Sequence, residues 1–274
     1  MFWTRLASGI VLLLIAVGGM GLGGIPLLLL LWGISLIAFR ELTKALKCAS
    51  DNKKLNLLEI LGLIGITGYY SAVYFAEGHT MQLMCVMGTF LAMMFAYVIT
   101  FPKFNANQVV AAVFAYLYAP ILLSFVYQTR MCPNGIYMVW MILISSWGCD
   151  TCAYAVGMLI GKHKIFPVLS PKKSLEGCIG GVLGAAFIGW LYGYFFVNNI
   201  YPDESVAWMI AVICALGAVM SMVGDLAASA IKRNNEIKDY GALIPGHGGI
   251  MDRFDSMIVT APMTYFLTIL MLVR

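Results

Sequence analysis

Between Leu6 and Phe39 there is not one charged side chain. A helix crosses the hydrocarbon core of a bilayer with about 20 apolar residues, so this run is too long for a single crossing. Gly21-Leu22-Gly23-Gly24, with Pro26 behind it, interrupts the run and predicts two spans, about 6–20 and 25–46. Comparable stretches follow at about 55–76, 79–101, 107–129, 135–161, 175–197, 204–232 and 250–273. No alternation of the barrel type occurs, and helices or closed barrels are the backbones that satisfy their own hydrogen bonds in lipid. The expected fold is therefore all-α: an integral membrane protein, a polytopic bundle of about nine transmembrane helices. Composition agrees, with 61% hydrophobic and 11% charged residues, where soluble domains run near ~45–50% and ~25%. An ordinary cytosolic enzyme, a disordered chain and a nucleic-acid binder are excluded.

Basic residues orient the bundle. With the N-terminus in the cytoplasm and the spans alternating, the cytoplasmic segments hold Arg5, Arg40, Lys44, Lys47, Lys53, Lys54, Lys103, Lys162, Lys164, Lys172, Lys173, Lys232, Arg233, Lys238 and Arg253. That is 15 of the 17 basic residues; Arg130 and Arg274 stay outside. Every loop is short, so residues 1–274 read as one polytopic domain, with N-terminal spans to about 130 and a catalytic half from about 135. The N-terminal run has no small-residue cleavage site and reads as a retained span, with a bacterial inner membrane as the expected location. The seven cysteines form no disulfide framework; Cys149-x-x-Cys152 has redox spacing but lacks a βαβ setting.

Chemistry concentrates on the cytoplasmic side of the second half. Asp150 and Asp225 lie inside spans, where a charge at the centre costs at least ~2.5–3.5 kcal/mol. A partner, a metal or a water-filled cavity open to the cytosol must offset that cost. Asp225, Ser229 and Lys232 share one helix face, with Arg233 beside them. They read either as a site or as an Asp–Lys pair that only ties helices together. In Pro245-Gly-His-Gly-Gly-Ile-Met-Asp-Arg-Phe-Asp255 the glycines allow close backbone approach to a ligand. Asp252 and Asp255 at the following helix start, beside Arg253, suit a hard cation such as Mg²⁺ with phosphate oxygens; helix capping accounts for the two acids taken alone. The cluster Ser170-Pro-Lys172-Lys173-Ser174 adds positive charge on an ordered turn. These groups, in a bundle open to lipid, point to phosphoryl or nucleotidyl transfer onto a membrane lipid.

The stretch from Gly224 to Asp255 carries Ser229, Lys232-Arg233, Lys238-Asp239, Pro245-Gly246-His247-Gly248-Gly249, Asp252-Arg253 and Asp255 at fixed spacing. This pattern resembles the signature of the phosphatidate cytidylyltransferase (CDP-diacylglycerol synthase) family, and the Asp150 and Ser170–Gly177 blocks are similar to family blocks. The resemblance implies CTP and phosphatidate as substrates, membrane lipids around the protein, a homodimer, and Mg²⁺ with room for a second cation such as K⁺. It implies Asp225 and Asp252 as metal ligands, and Lys232, Arg233, Lys238 and Arg253 as neutralisers of phosphate charge. His247, Gly248 and Gly249 would shape the nucleotide pocket, and Ser170, Lys172, Lys173 and Ser174 would order a loop over it. Asp150, Ser229, Asp239 and Asp255 complete the expected substrate-binding set. A CTP-dependent lipid kinase, an isoprenoid-lipid cytidylyltransferase and, from another class, an ion-coupled transporter are the competing readings.

Overall fold

The computed structural model describes residues 2–49, 54–76, 78–198, 200–201, 205–244 and 248–272, with side chains from residue 8 onward. Its long helices follow the spans expected from hydropathy. They are α1 (Phe2–Leu22), α2 (Gly24–Ala45), α3 (Leu57–Phe75), α4 (Thr80–Ile99), α5 (Ala106–Met131), α6 (Gly135–Ile160), α7 (Leu175–Val197), α8 (Val206–Asn234) and α9 (Met251–Met271). The helices α2 to α9 are each long and apolar enough to cross a membrane. Among the described residues there is no strand, only the isolated bridges Lys164↔Ser174 and Ile244↔Gly248. The protein is an all-α polytopic membrane protein. Its outward faces carry large apolar side chains such as Leu14, Phe75, Leu159 and Leu270, as a lipid-facing surface requires.

Local chemistry sets the helix ends. The expected glycine break falls at Gly23 and Gly24, both at positive φ (65° and 51°), a conformation that turns the chain between α1 and α2 at no steric cost. Asn56 opens α3 with a capping box. Its Oδ1 accepts the Glu59 N–H at 2.8 Å, and its own N–H donates to the Glu59 carboxylate at 3.1 Å. Asn105 and Gln108 repeat the device at the start of α5. Within α5 the turn Leu117–Ile121 widens to a π-helix around Pro120, whose ring cannot donate to the helical ladder.

The chain divides into two compact units: Met1–Ser124 with Asn234–Arg253, and Phe125–Arg233 with Phe254–Arg274. In the N-terminal unit, α2, α3 and α5 enclose Phe39, Leu42, Leu58, Ile66, Tyr70 and Tyr116, all essentially inaccessible. Hydroxyl groups buried there find partners: Ser35 meets the Tyr70 hydroxyl at 2.7 Å, and Tyr69 meets Ser124 at 3.1 Å. The segment after α8, Asn234–Arg253, belongs to this unit although it follows the third long helix of the second half.

In the C-terminal unit α6 and α7 pack back to back through small residues. A Cβ added to Gly181 would stand 3.0 Å from both Cys149 Sγ and Ala153 Cβ, and one on Gly184 would stand 2.6 Å from Cys152. Membrane helices lack a hydrophobic driving force for association and rely on such close approach. Gly181→Leu should therefore lower the thermal unfolding midpoint in detergent, with an overpacking cost of about 1–3 kcal/mol or more. Gly88→Leu, whose Cβ position meets no atom within 4 Å, should leave the midpoint unchanged. Equal midpoints for the two variants would remove the packing argument. The seven cysteines are free thiols.

Candidate active site

The C-terminal unit assembles acids and bases from four segments. Asp150 stands near the middle of α6, in the first turn after a π-helical stretch, Ile144–Gly148. Asp225 lies on α8 and Asp255 on α9. These three carboxylates sit within range of one another's charge, with Lys173 and Lys232 as the nearby cations. The Lys173 ammonium meets Asp225 Oδ2 at 2.6 Å, with both side chains only partly withdrawn from solvent. Asp255 is buried and accepts the Ser256 N–H at 2.8 Å.

Lys173 reaches Asp225 because its loop is folded against itself. Ser174 caps α7 by accepting the Gly177 N–H at 3.2 Å. The Glu176 carboxylate accepts the Lys162 N–H at 3.1 Å and the His163 ring Nδ1 at 2.5 Å. Lys164 Nζ donates to the Lys172 carbonyl at 3.2 Å, and the Ser170 N–H to the Phe166 carbonyl at 2.8 Å. Beside this loop is a cavity of about 440 Å³. Asp150, Lys164, Lys172 and Lys173 line it together with the apolar Tyr154, Met158 and Met222. A cavity lined by three lysines with an apolar flank suits the phosphate of a membrane lipid.

The N-terminal unit contains the glycine-rich loop. Asp252 is buried, and its Oδ2 accepts two backbone N–H groups, from Tyr240 at 2.8 Å and from Gly249 at 3.0 Å. Gly248 has φ of 80°, and its carbonyl accepts the Ile244 N–H at 2.9 Å. Arg253 Nε is buried with no hydrogen-bond partner among the described residues, a charged donor suited to an incoming anion. His247, with Pro245 and Gly246, lies outside the described residues.

The structure thus brings Asp150, Lys173, Asp225, Lys232 and Asp255 together in one unit and orders Gly248, Gly249, Asp252 and Arg253 in the other. Ser229 and Lys232 are half-buried on α8, whereas Arg233, Lys238 and Asp239 are exposed. Among the described residues no three His, Cys, Asp or Glu side chains form a cage for a metal ion. Mg²⁺ needs none, since it keeps several waters and is commonly held by one or two carboxylates plus substrate phosphates. The partly exposed Asp225 carboxylate is a hard oxygen donor of the kind such an ion takes.

Two groups escaped the sequence reading. Lys164 lines the cavity but had counted only toward orientation. Glu41, on α2, is 7% exposed and bonds the backbone of the glycine-rich loop. The signal was present, because an acid in an apolar span is the feature that drew attention to Asp150 and Asp225.

Comparisons with known proteins agree with this geometry. The model of the cytidylyltransferase family matches residues 3–271. A phosphatidate cytidylyltransferase of Staphylococcus saprophyticus is 28% identical over 271 residues, covering 97% of this chain and 98% of the relative. The protein of that name from Staphylococcus haemolyticus is 27% identical over 275 residues, covering 98% and 99%. The one from Staphylococcus aureus is 28% identical over 270 residues, covering 97% and 98%. The family match runs through all nine helices, the lysine-rich loop and the glycine-rich loop alike, and on that match the chain belongs to the cytidylyltransferase family.

Proposed function

We propose that this protein is a phosphatidate cytidylyltransferase, converting CTP and phosphatidate to CDP-diacylglycerol and pyrophosphate. The observation that carries the reading is the cavity lined by Asp150 of α6 and three lysines of the loop between α6 and α7, with Lys173 held against Asp225. An oxygen of the phosphatidate phosphate attacks the α-phosphorus of CTP, and the bond from that phosphorus to the β,γ-pyrophosphate breaks. The attacking oxygen is already ionised, so no strong base is required. The protein's task is to position two polyanions and neutralise their charge.

Lys164, Lys172 and Lys173 receive the lipid phosphate at the cavity, whose apolar flank accepts the glycerol and the first acyl carbons. Lys232, Arg233, Lys238 and Arg253 supply further charge for the phosphates, and the amides of Gly248 and Gly249 border the nucleotide. Asp225 would offer carboxylate oxygens to Mg²⁺, and Asp252 is the second ligand that the motif implies. Such an ion would neutralise charge on the triphosphate and on the leaving pyrophosphate. The membrane is a bacterial plasma membrane, with the N-terminus and both polar loops cytoplasmic. The staphylococcal relatives and the placement of 15 of 17 basic residues on one side support that orientation.

Purified protein with phosphatidate, Mg²⁺ and CTP labelled at the α-phosphate should produce labelled lipid, and omission of either phosphatidate or Mg²⁺ should abolish the product. Label entering lipid from the γ-phosphate instead would make the protein a kinase and overturn the reading. Ion flux in liposomes without any CTP turnover would overturn it in favour of transport.

A further inference from the structure

Glu41 stands far from the signature residues in sequence yet is bound to them in space. Its carboxylate uses both oxygens on the chain that enters α9: Oε1 accepts the Ile250 N–H at 3.1 Å, and Oε2 accepts the Met251 N–H at 2.8 Å. These partners lie 209 and 210 residues away. The first N–H groups of a helix have no partner inside it, and here a buried carboxylate from another helix meets them. Two glycines leave room for it. A Cβ on Gly241 would stand 2.3 Å from Glu41 Oε1, and one on Gly249 would stand 2.5 Å from Oε2. The adjacent Arg40 is engaged elsewhere, with Glu59 at 3.4 Å.

We infer that Glu41 is a positioning residue for the cytidylyl-transfer reaction, which fixes the Gly248–Arg253 backbone from α2. Asp252 pins the same loop from within, through Tyr240 and Gly249. Neither bond set alone fixes both the loop and the start of α9. The Asp252 contacts hold residues 240 and 249, and the Glu41 contacts hold residues 250 and 251. With both in place, the Gly248–Arg253 backbone is fixed and Arg253 Nε, unpartnered among the described residues, is presented in one arrangement. Loss of Glu41 frees the entry to α9 and misplaces groups that contact the nucleotide phosphates. The reaction then slows even in molecules that remain folded.

The inference rests on the proposed function, and wild-type CTP incorporation into lipid tests that function separately. Given an active wild type, Glu41→Gln and Glu41→Ala are compared per folded molecule, with folded protein counted by monodisperse elution in detergent. Glu41→Gln keeps one acceptor and should lose about tenfold in kcat; Glu41→Ala should lose about a hundredfold, with the KM for phosphatidate within twofold of wild type in both. Gly249→Ala supplies the second arm. It should be severely impaired alone, yet add little to Glu41→Ala, because the carboxylate it would strike is gone. Unchanged kcat in Glu41→Gln, or fully additive losses in the double variant, would overturn the inference. If Glu41→Ala fails to fold, the kcat of Glu41→Gln decides.

Discussion

Asp225→Asn should abolish CDP-diacylglycerol formation, by about 10²–10³-fold or more, while the protein should still insert and elute as wild type. The substitution preserves size and removes one charge from a group whose Oδ2 stands 2.6 Å from the Lys173 ammonium. That pair admits two explanations. Asp225 could serve only as the anchor of Lys173, or it could hold a cation while Lys173 waits for phosphate. The double variant Asp225→Asn with Lys173→Gln separates them. If the pair is only a tie between helices, removing both charges relieves the stranded lysine and restores much of the activity. If Asp225 holds Mg²⁺, the double variant stays inactive, and Asp225→Glu recovers part of the rate as Mg²⁺ is raised. The partial exposure of both side chains favours the second outcome, since a site that exchanges ions and substrates must stay open. Near-normal turnover in Asp225→Asn would remove Asp225 from the chemistry altogether.

The second large effect concerns Asp252, and the choice of substitution decides what is learned. In the structure one oxygen, Oδ2, accepts both the Tyr240 and the Gly249 N–H groups. An asparagine carbonyl can accept the same two bonds, so Asp252→Asn keeps the loop and removes only the charge. Asp252→Ala leaves two buried donors unmet, at about 1–3 kcal/mol each. Asp252→Asn should therefore show wild-type amide exchange at Tyr240 and Gly249 and a loss of turnover of about 10²-fold or more. Asp252→Ala should show faster exchange at both amides as well as loss of turnover. Retained activity in Asp252→Asn would reduce Asp252 to a loop pin, and protected amides in Asp252→Ala would contradict the bonding described.

Both experiments act on residues that could be chosen from the motif, and both turn on contacts that the motif does not reveal. The spacing of Ser229, Lys232 and Asp252 along Gly224–Asp255 was sufficient to mark the family, since short-range spacing survives in any fold that keeps α8 and the helix start of α9. The span ends were also readable: the predicted stretch at about 175–197 coincides with α7, Leu175–Val197, and that at about 135–161 with α6, Gly135–Ile160. The partner of Asp225 was not readable. Lys173 read as part of the Ser170–Ser174 cluster that would order a loop over the nucleotide pocket, and the loop bonds that carry it to Asp225 involve Glu176 and Ser174 in ways no local pattern specifies. Glu41 was missed for the same reason, as an acid about one turn from the end of α2 gives no sign of which backbone it will cap.

What the sequence alone determined is one-dimensional: the length of its apolar helical spans, where those spans begin and end, and the motif that marks the family. Bilayer thickness imposes the first of these on any chain, whatever its tertiary contacts. Only the tertiary structure decided which charges face one another. Membrane helices associate through close packing of small residues and through scattered polar contacts, and both depend on rotations and depths that hydropathy does not encode. The pairing of Lys173 with Asp225, the cavity beside them, and the reach of Glu41 across 209 residues to Ile250 are products of that packing.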